Sequence, residues 1–316
     1  MKNIKINKFH NFLIKKIYIL NNNNNNIKNA KKKILVLTIF LPIFIFKLNS
    51  HNIRIMTFNI HFGNTINNTF DILNISSLIK NTQSDIVCLQ EVDKNWSNRS
   101  EFQDLISTIS NLTNLKYYLF CPIYNKTSSR GSQFPNEQFG TAILSKFKIL
   151  EYNNYILSRW SSQPEDPQPG ESGFPSQFHG FGNVILDING MNFSVYNTHL
   201  DYRSEPPQGF NETMRAIQVR EMLNIIKFDY PTVLTGDMNA DYSAKDVFEP
   251  LLDKFYDAWS LKGSGNGFTF NCVEPFIRID YVLVGKNKKI EVVNVENVQT
   301  FVSDHLPIIV DLVLEG

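Results

Sequence analysis

Polar residues stand repeatedly where apolar runs stop, and their types suit one chemistry. Ile53–Phe58 runs into Asn59, Asp85–Leu89 into Gln90-Glu91, and Phe193–Tyr196 into Asn197-Thr198-His199. Thr232–Thr235 leads to Gly236-Asp237-Met238-Asn239, Asp280 follows Ile279 in an otherwise apolar run, and Ser303-Asp304-His305 precedes Pro307. Carboxylates with a few amides are hard oxygen donors, the set that Mg²⁺ or Mn²⁺ prefers. Two histidines beside them can donate hydrogen bonds to a phosphate as its charge develops. Each residue alone has a plainer reading. Glu91 suits a solvated turn, His199 a structural histidine, Asp237, Asn239 or Asp304 a cap, and Asp280 a partner for Arg278. The weight lies in their joint arrival at the ends of strands, where one polar pocket can form.

The elements that must position these residues alternate between strands and helices. Ile53–Phe58 alternates apolar and polar, Asp85–Leu89 is a short apolar strand, and Asn189-Gly190 between Val184–Ile188 and Met191–Tyr196 is a hairpin signal. Thr232–Thr235, Ile279–Val284, Ile290–Val293 and Ile308–Leu312 are further strands. Helical spacing appears at Ile72, Ile75 and Ile79, at Phe102, Leu105, Ile106 and Ile109, and at Val219, Met222, Leu223 and Ile226. Pro164, Pro167, Pro169 and Pro175 make Ser162–Phe178 a long surface loop. The fold class is α/β: two packed, mainly antiparallel sheets flanked by helices.

In this order, the blocks MTFNIHFG, DIVCLQEVD, NTHLD, LTGDMNAD, RIDYVLV and VSDHLPIIV closely resemble the endonuclease/exonuclease/phosphatase superfamily, from about Ile53 to Leu312. The resemblance implies a four-layer α/β sandwich and a Mg²⁺- or Mn²⁺-dependent phosphoric ester hydrolase. It implies a metal-activated, Asp-oriented water and no covalent intermediate. By matching blocks, Glu91 binds the metal with Asn59 beside it, and Asp304 supports the metal or water network. His199 and His305 contact the phosphate, His305 being oriented by Asp280. Asp237 orients or deprotonates the water, and Asn239 holds the water or the phosphate. A looser match makes Glu137 a support for His199.

Substrate choice falls to loops. Tyr124–Phe139, Ser158–Phe181 and Asp201–Thr213 are candidate selectors, with Arg130 and Arg203 as candidate substrate-binding residues and Arg159 and Arg215 nearby. Trp160, Phe174, Phe178 and Phe181 suit lipid contact, base stacking or packing of the loop. Three functions follow: a phosphodiesterase acting on a lipid headgroup or small phosphate ester, a secreted deoxyribonuclease-like endonuclease, and a non-enzymatic binding protein on the same fold.

Charge bears on that choice. The 316 residues have a net charge of +1. Residues 1–50 hold ten lysines and no acid, leaving 21 basic and 30 acidic groups in 51–316, a net of −9. A body of that sign repels a polyanion at long range, which disfavours non-specific DNA binding. Residues 1–50 read as a segment apart from the domain 51–316. Asn21–Asn26 is low-complexity, and Lys31-Lys32-Lys33 precedes an apolar run at 34–46 that suits a cleaved signal or an uncleaved membrane anchor. Eight Asn-x-Ser/Thr sequons, at Asn67, Asn74, Asn95, Asn98, Asn111, Asn125, Asn192 and Asn211, fit a glycoprotein of the secretory pathway, secreted or membrane-attached. Three cysteines exclude a disulfide scaffold, with Cys88 read as a buried thiol and Cys121 and Cys272 as an open pair. No obligate protein partner is evident.

Overall fold

The first sheet grows from the strand that carries Asn59. In the computed structural model, which describes residues 50–159, 179–206, 211–287 and 290–315, β1 (His51–Asn59) lies between β2 (Ile86–Lys94), parallel to it, and β12 (Ile308–Leu314), antiparallel. β3 (Tyr117–Lys126), β4 (Glu137–Ser145) and β11 (Ile290–Asn297) complete the order β11-β12-β1-β2-β4-β3. The second sheet holds β5 (Lys148–Leu157), β6 (His179–Ile188), β7 (Met191–His199), β8 (Thr232–Asp237), β9 (Phe255–Asp257) and β10 (Asp280–Gly285) in the order β5-β6-β7-β8-β10-β9. Parallel pairing occurs at β1–β2 and β7–β8, and the other ladders are antiparallel. The expected α/β sandwich of mainly antiparallel sheets is therefore present.

Period-2 alternation divides each strand between two cores. Ile53, Ile55, Cys88 and Ile143 of the first sheet meet Val184, Leu186, Val195, Val233 and Val282 of the second between the layers. The opposite face of the first sheet, with Met56, Phe58, Val87 and Leu89, is covered by α1 (Ile72–Asn81) and α2 (Leu105–Thr113). On the outside of the second, Tyr196, Leu234 and Tyr281 pack against α3 (Met214–Ile225) and α4 (Lys245–Lys254), while the short α5 (Ala258–Lys262) follows β9. Fully burying one such side chain is worth about 1.5–3 kcal/mol, so these faces fix the layer order.

Local chemistry sets the boundaries. Asp71, Asp104 and Thr213 cap α1, α2 and α3 by accepting from backbone N–H groups of the first turn. Asp104 therefore ends the expected helical stripe at Leu105, and Phe102 stays outside with φ at 54°. Asn189 and Gly190, with φ at 53° and 93°, form the anticipated β6–β7 turn. Phe181, one of the candidate lipid or base contacts, is instead fully buried and stacked on Tyr155. Cys88, Cys121 and Cys272 are all free and buried, so Cys121 and Cys272 do not pair. Residues 34–46 and the loop Ser162–Phe178, with Trp160, Phe174 and Phe178, lie outside the described residues.

Candidate active site

Strand ends of both sheets meet at one edge of the sandwich, over a buried polar platform. Gln90 donates to Thr57 Oγ1 at 3.1 Å and to Asn197 Oδ1 at 2.6 Å. Asn197 in turn donates to the Leu89 and Ala142 carbonyls at 2.8 and 3.0 Å, tying the sheets together across the interior. Side-chain networks of this kind hold only when their members are satisfied, and they fix one relative placement of the layers. Sequence reasoning did not assign Gln90 or Asn197 a role. Their signal is an amide inside an apolar strand run.

Above this platform, Asn59 donates to Glu91 Oε1 at 3.1 Å and to Asp237 Oδ2 at 3.0 Å, so one amide joins carboxylates from both sheets. The ladder between β2 and β4 shifts register between Leu89 and Val92, and Glu91 sits there with φ at 55°. Asn239 is also left-handed, with φ at 48°. Strain of this kind costs on the order of 1–3 kcal/mol per residue and clusters at working sites. Gly236 allows the approach of β8 to β7, because a Cβ there would lie 2.2 Å from the Thr198 carbonyl oxygen.

The histidines face the same carboxylate. His199 Nε2 lies 3.6 Å from Asp237 Oδ2 and 3.9 Å from Glu91 Oε1, and His305 Nε2 lies 3.7 Å from Asp237 Oδ2. His305 Nδ1 bonds Asp280 Oδ2 at 2.8 Å, the orientation anticipated from the sequence. Arg278, the alternative partner for Asp280, instead makes a two-pronged contact with Asp257 at 3.0 and 2.7 Å. Ser303 Oγ donates to the Asn59 carbonyl at 2.7 Å and lies 3.3 Å from Asp304 Oδ1. Asn239 donates from its backbone to Asp237 Oδ1 at 2.8 Å and from its amide to the Leu200 carbonyl at 2.9 Å.

Electrostatics separate the two rings. Burial holds His199 down at about 4, a neutral imidazole near neutral pH. Burial also opposes charge on His305, but Asp280 and Asp237 outweigh it and raise that ring to about 10. Burial and then Asp280 push Asp237 up to about 7. Burial, with Asp304 nearby, raises Glu91 as well, despite His199. Carboxylates crowded so closely hold on to protons unless a cation joins them.

The donor chemistry fits a hard divalent cation. Glu91, Asp237 and Asp304 supply carboxylates, and the Asn59 amide lies between the first two. Asp237, Asp280 and His305 also present ligand atoms within 4.8 Å of one another. Asp280 is engaged with His305, so the oxygen-rich side at Glu91 and Asp304 suits Mg²⁺ or Mn²⁺ better. The site thus brings together eight of the ten residues singled out from the sequence: Asn59, Glu91, His199, Asp237, Asn239, Asp280, Asp304 and His305.

The other candidates are engaged elsewhere. The Arg130 guanidinium lies over Phe102 and Phe134, at 3.9 and 4.4 Å from the ring centres. Arg203 reaches Asp201 at 3.0 Å, just beyond His199. Arg215 is buried and donates to the Asn239 carbonyl. Glu137, the expected support for His199, accepts from the Ser129 backbone at 2.8 Å and pairs with Lys126 at 3.1 Å.

Residues 56–305 match the Endonuclease/Exonuclease/phosphatase family. The chain belongs to that family. It is similar to the uncharacterized protein YbhP of Escherichia coli K12, with 23% identity over 269 residues, covering 81% of this chain and 94% of YbhP. It is also similar to sphingomyelinase C of Listeria ivanovii, with 24% identity over 242 residues, covering 72% of this chain and 63% of that protein. Among solved structures, an endonuclease/exonuclease/phosphatase from Beutenbergia cavernae superposes with a TM-score of 0.67 at 21% identity, covering 84% of this chain and 72% of the other. Membership in this family of endonucleases, exonucleases and phosphatases makes the chain a hydrolase of phosphate esters.

Proposed function

We propose that this protein is a Mg²⁺- or Mn²⁺-dependent phosphodiesterase that delivers water to a phosphodiester without a covalent intermediate. The supporting observation is the meeting of Glu91, Asn59, Asp237, His199 and His305 at one sandwich edge. Glu91, Asn59 and Asp304 would hold the cation, which when bound supplies charge neutralisation to a phosphate that otherwise repels its nucleophile. Asp237, whose hold on a proton is strengthened by burial and Asp280, can take a proton from an attacking water. Asn239 steadies that carboxylate through its backbone N–H. His305, protonated and braced by Asp280, offers Nε2–H to a phosphate oxygen, and His199 offers a second ring edge beside Asp237.

The substrate class we favour is a phosphodiester of a lipid headgroup or another small ester. Phe276, Val273 and Phe301 are exposed at 62%, 55% and 57%. Val273 and Phe276 lie on the segment paired with that of His305, and Phe301 on the His305 segment itself: Phe270 bridges to His305, Cys272 donates to the Asp304 carbonyl, and Phe301 precedes Ser303 by two residues. Apolar side chains and a net −9 body suit a lipid ester better than duplex DNA. The similarity to a protein named sphingomyelinase C points the same way. The apolar run at 34–46 behind Lys31-Lys32-Lys33 and the sequons support a secretory route, secreted or membrane-attached. Glycosidase-sensitive mobility of the expressed chain tests that route, and an unglycosylated cytosolic pool counts against it.

The decisive assay gives the purified full chain bis-p-nitrophenyl phosphate with Mg²⁺ or Mn²⁺, then EDTA. Turnover is expected with either ion and none in chelator; equal rates in EDTA remove the cation from the mechanism. A parallel panel of sphingomyelin, duplex DNA and inositol phosphates ranks the leaving groups. DNA cleavage exceeding the others by a wide margin replaces the lipid reading with an endonuclease.

A further inference from the structure

The two site histidines are supported differently. His305 has a carboxylate on its second ring nitrogen, whereas Glu137, the group expected to serve His199, is bound to Ser129 and Lys126. Beside His199 stands another histidine. His179 opens β6, next to Gly180, which pairs with His199 across the ladder. Its ring is 2% exposed and meets the His199 ring edge-on at 6.3 Å. His179 Nδ1 lies 3.1 Å from the His199 carbonyl oxygen, so that nitrogen is the donor. On the far side, Nε2 lies 3.4 Å from Asp201 Oδ2, a contact that makes no hydrogen bond as placed and is an ion pair when the ring carries both protons.

Asp201 is itself fully buried and built in. Its backbone N–H donates to Gln218 Oε1 at 3.0 Å, and its carboxylate accepts from the Arg203 backbone at 2.9 Å. Leu200, between His199 and Asp201, donates to the Asp237 carbonyl at 3.0 Å and accepts from the Asn239 amide. The backbone carrying His199 is thus held on one side by the elements of Asp237 and on the other by His179.

We propose that His179, which faces Asp201, is the positioning residue for His199: its Nδ1–H fixes the His199 carbonyl and so aims that ring, as Asp280 aims His305. The inference rests on the reading above, in which His199 touches the phosphate. A group of this kind acts through geometry, and a misplacement of about 1 Å can cost on the order of 10²-fold. The mirror arrangement at His305 is one step shorter, with Asp280 touching the ring directly.

The test is kinetic, on the full chain with bis-p-nitrophenyl phosphate and Mn²⁺. His179→Ala is expected to lower kcat by about 10²-fold with KM moved by less than about 3-fold. His179→Asn, whose amide nitrogen stands near the Nδ1 position, is expected to recover most of that loss. His179→Gln, whose nitrogen falls nearer Nε2, is expected to recover little. Combined with His199→Ala, His179→Ala should add less than about 2-fold, because it acts through the ring already removed. Wild-type kcat in a folded His179→Ala overturns the proposal, as do multiplicative losses in the double variant. Should alanine cost the fold, the Asn and Gln variants decide, and equal kcat in both overturns it. Full activity in His199→Ala overturns the phosphate role of His199 and this inference together, whereas loss there with full activity in His179→Ala overturns this inference alone.

Discussion

The carboxylates around the two ends of β1 are treated in opposite ways. Where β1 begins, Asp311 receives two bonds from the Arg54 guanidinium, at 2.7 and 2.8 Å, and Asp85 pairs with Lys146. Where β1 ends, the carboxylates of Glu91, Asp237, Asp280 and Asp304 face histidine rings instead, at 2.8 to 4.0 Å. The consequence shows in the titration of the groups. Arg54 holds Asp311 below the usual carboxylate range, while burial and neighbouring acids lift Asp237 to about 7 and raise Glu91. One end settles its charge within the fold. The other leaves negative charge for a cation and substrate to settle, which is how a site gives up stability for chemistry.

Glu91→Gln separates those two costs. It removes a carboxylate yet keeps an oxygen for Asn59 to bond, so the strand end should stay in place. The expected loss in kcat is about 10³-fold, or ~4 kcal/mol of transition-state stabilisation. In EDTA the same variant should be more stable than the wild type by about 0.5–2 kcal/mol in urea melts, because a buried repulsion is relieved. A less stable variant in EDTA would mean that the cluster is not frustrated after all. Asp280→Asn should cost about 10²-fold, since the amide no longer favours the charged His305 ring. The falling limb of its pH profile should also move to lower pH, as the support for that charge is withdrawn; an unmoved profile with full kcat would break the pairing.

Cation binding offers a measure without turnover. Mn²⁺ at about 100 times its dissociation constant should stabilise the wild type by ~2.7 kcal/mol against unfolding. Glu91→Gln should show little of this shift, and Asp311→Asn all of it. Equal shifts in the wild type and Glu91→Gln would place the cation elsewhere.

The same contrast explains what could be read before the structure. The strands that end in Asn59, His199 and Asp237, and the run of β2 up to the register shift at Glu91, alternate or run apolar, because one or both faces are buried. The interior β4 was not read as a strand, and β3, β5 and the short β9 escaped notice at sheet edges. Tyr117, Tyr118, Tyr152 and Ile156 are exposed there, and Glu151-Tyr152-Asn153-Asn154 shows no apolar alternation. The site residues were legible because a polar group closing an apolar strand contradicts burial. The second tier was less so: His179 follows a proline-rich stretch, and its tie to His199 depends on ladder register. Glu137 misled for the converse reason. It heads β4, but Ser128, Ser129 and Lys126 claim its oxygens, and sequence spacing carries no record of that loop folding back.

The smallest effect belongs to the settled end. Arg54 and Asp311 are each about one-third exposed or less, at 33% and 28%, so their bidentate contact works partly in water. Asp311→Asn should lower stability by about 0.5–1 kcal/mol at neutral pH and leave kcat unchanged. The sign of its pH dependence follows from linkage. The folded carboxyl titrates below its unfolded value of about 3.9, so the folded state binds fewer protons in that range. The stabilisation is therefore complete above pH ~5 and fades as pH falls through the unfolded value towards the lower folded one. Urea melts of the wild type and Asp311→Asn should converge as the medium is acidified below that range. A gap that persisted in strong acid would assign the effect to packing of the side chain, and a gap above about 2 kcal/mol at pH 7 would make this end as consequential as the active edge.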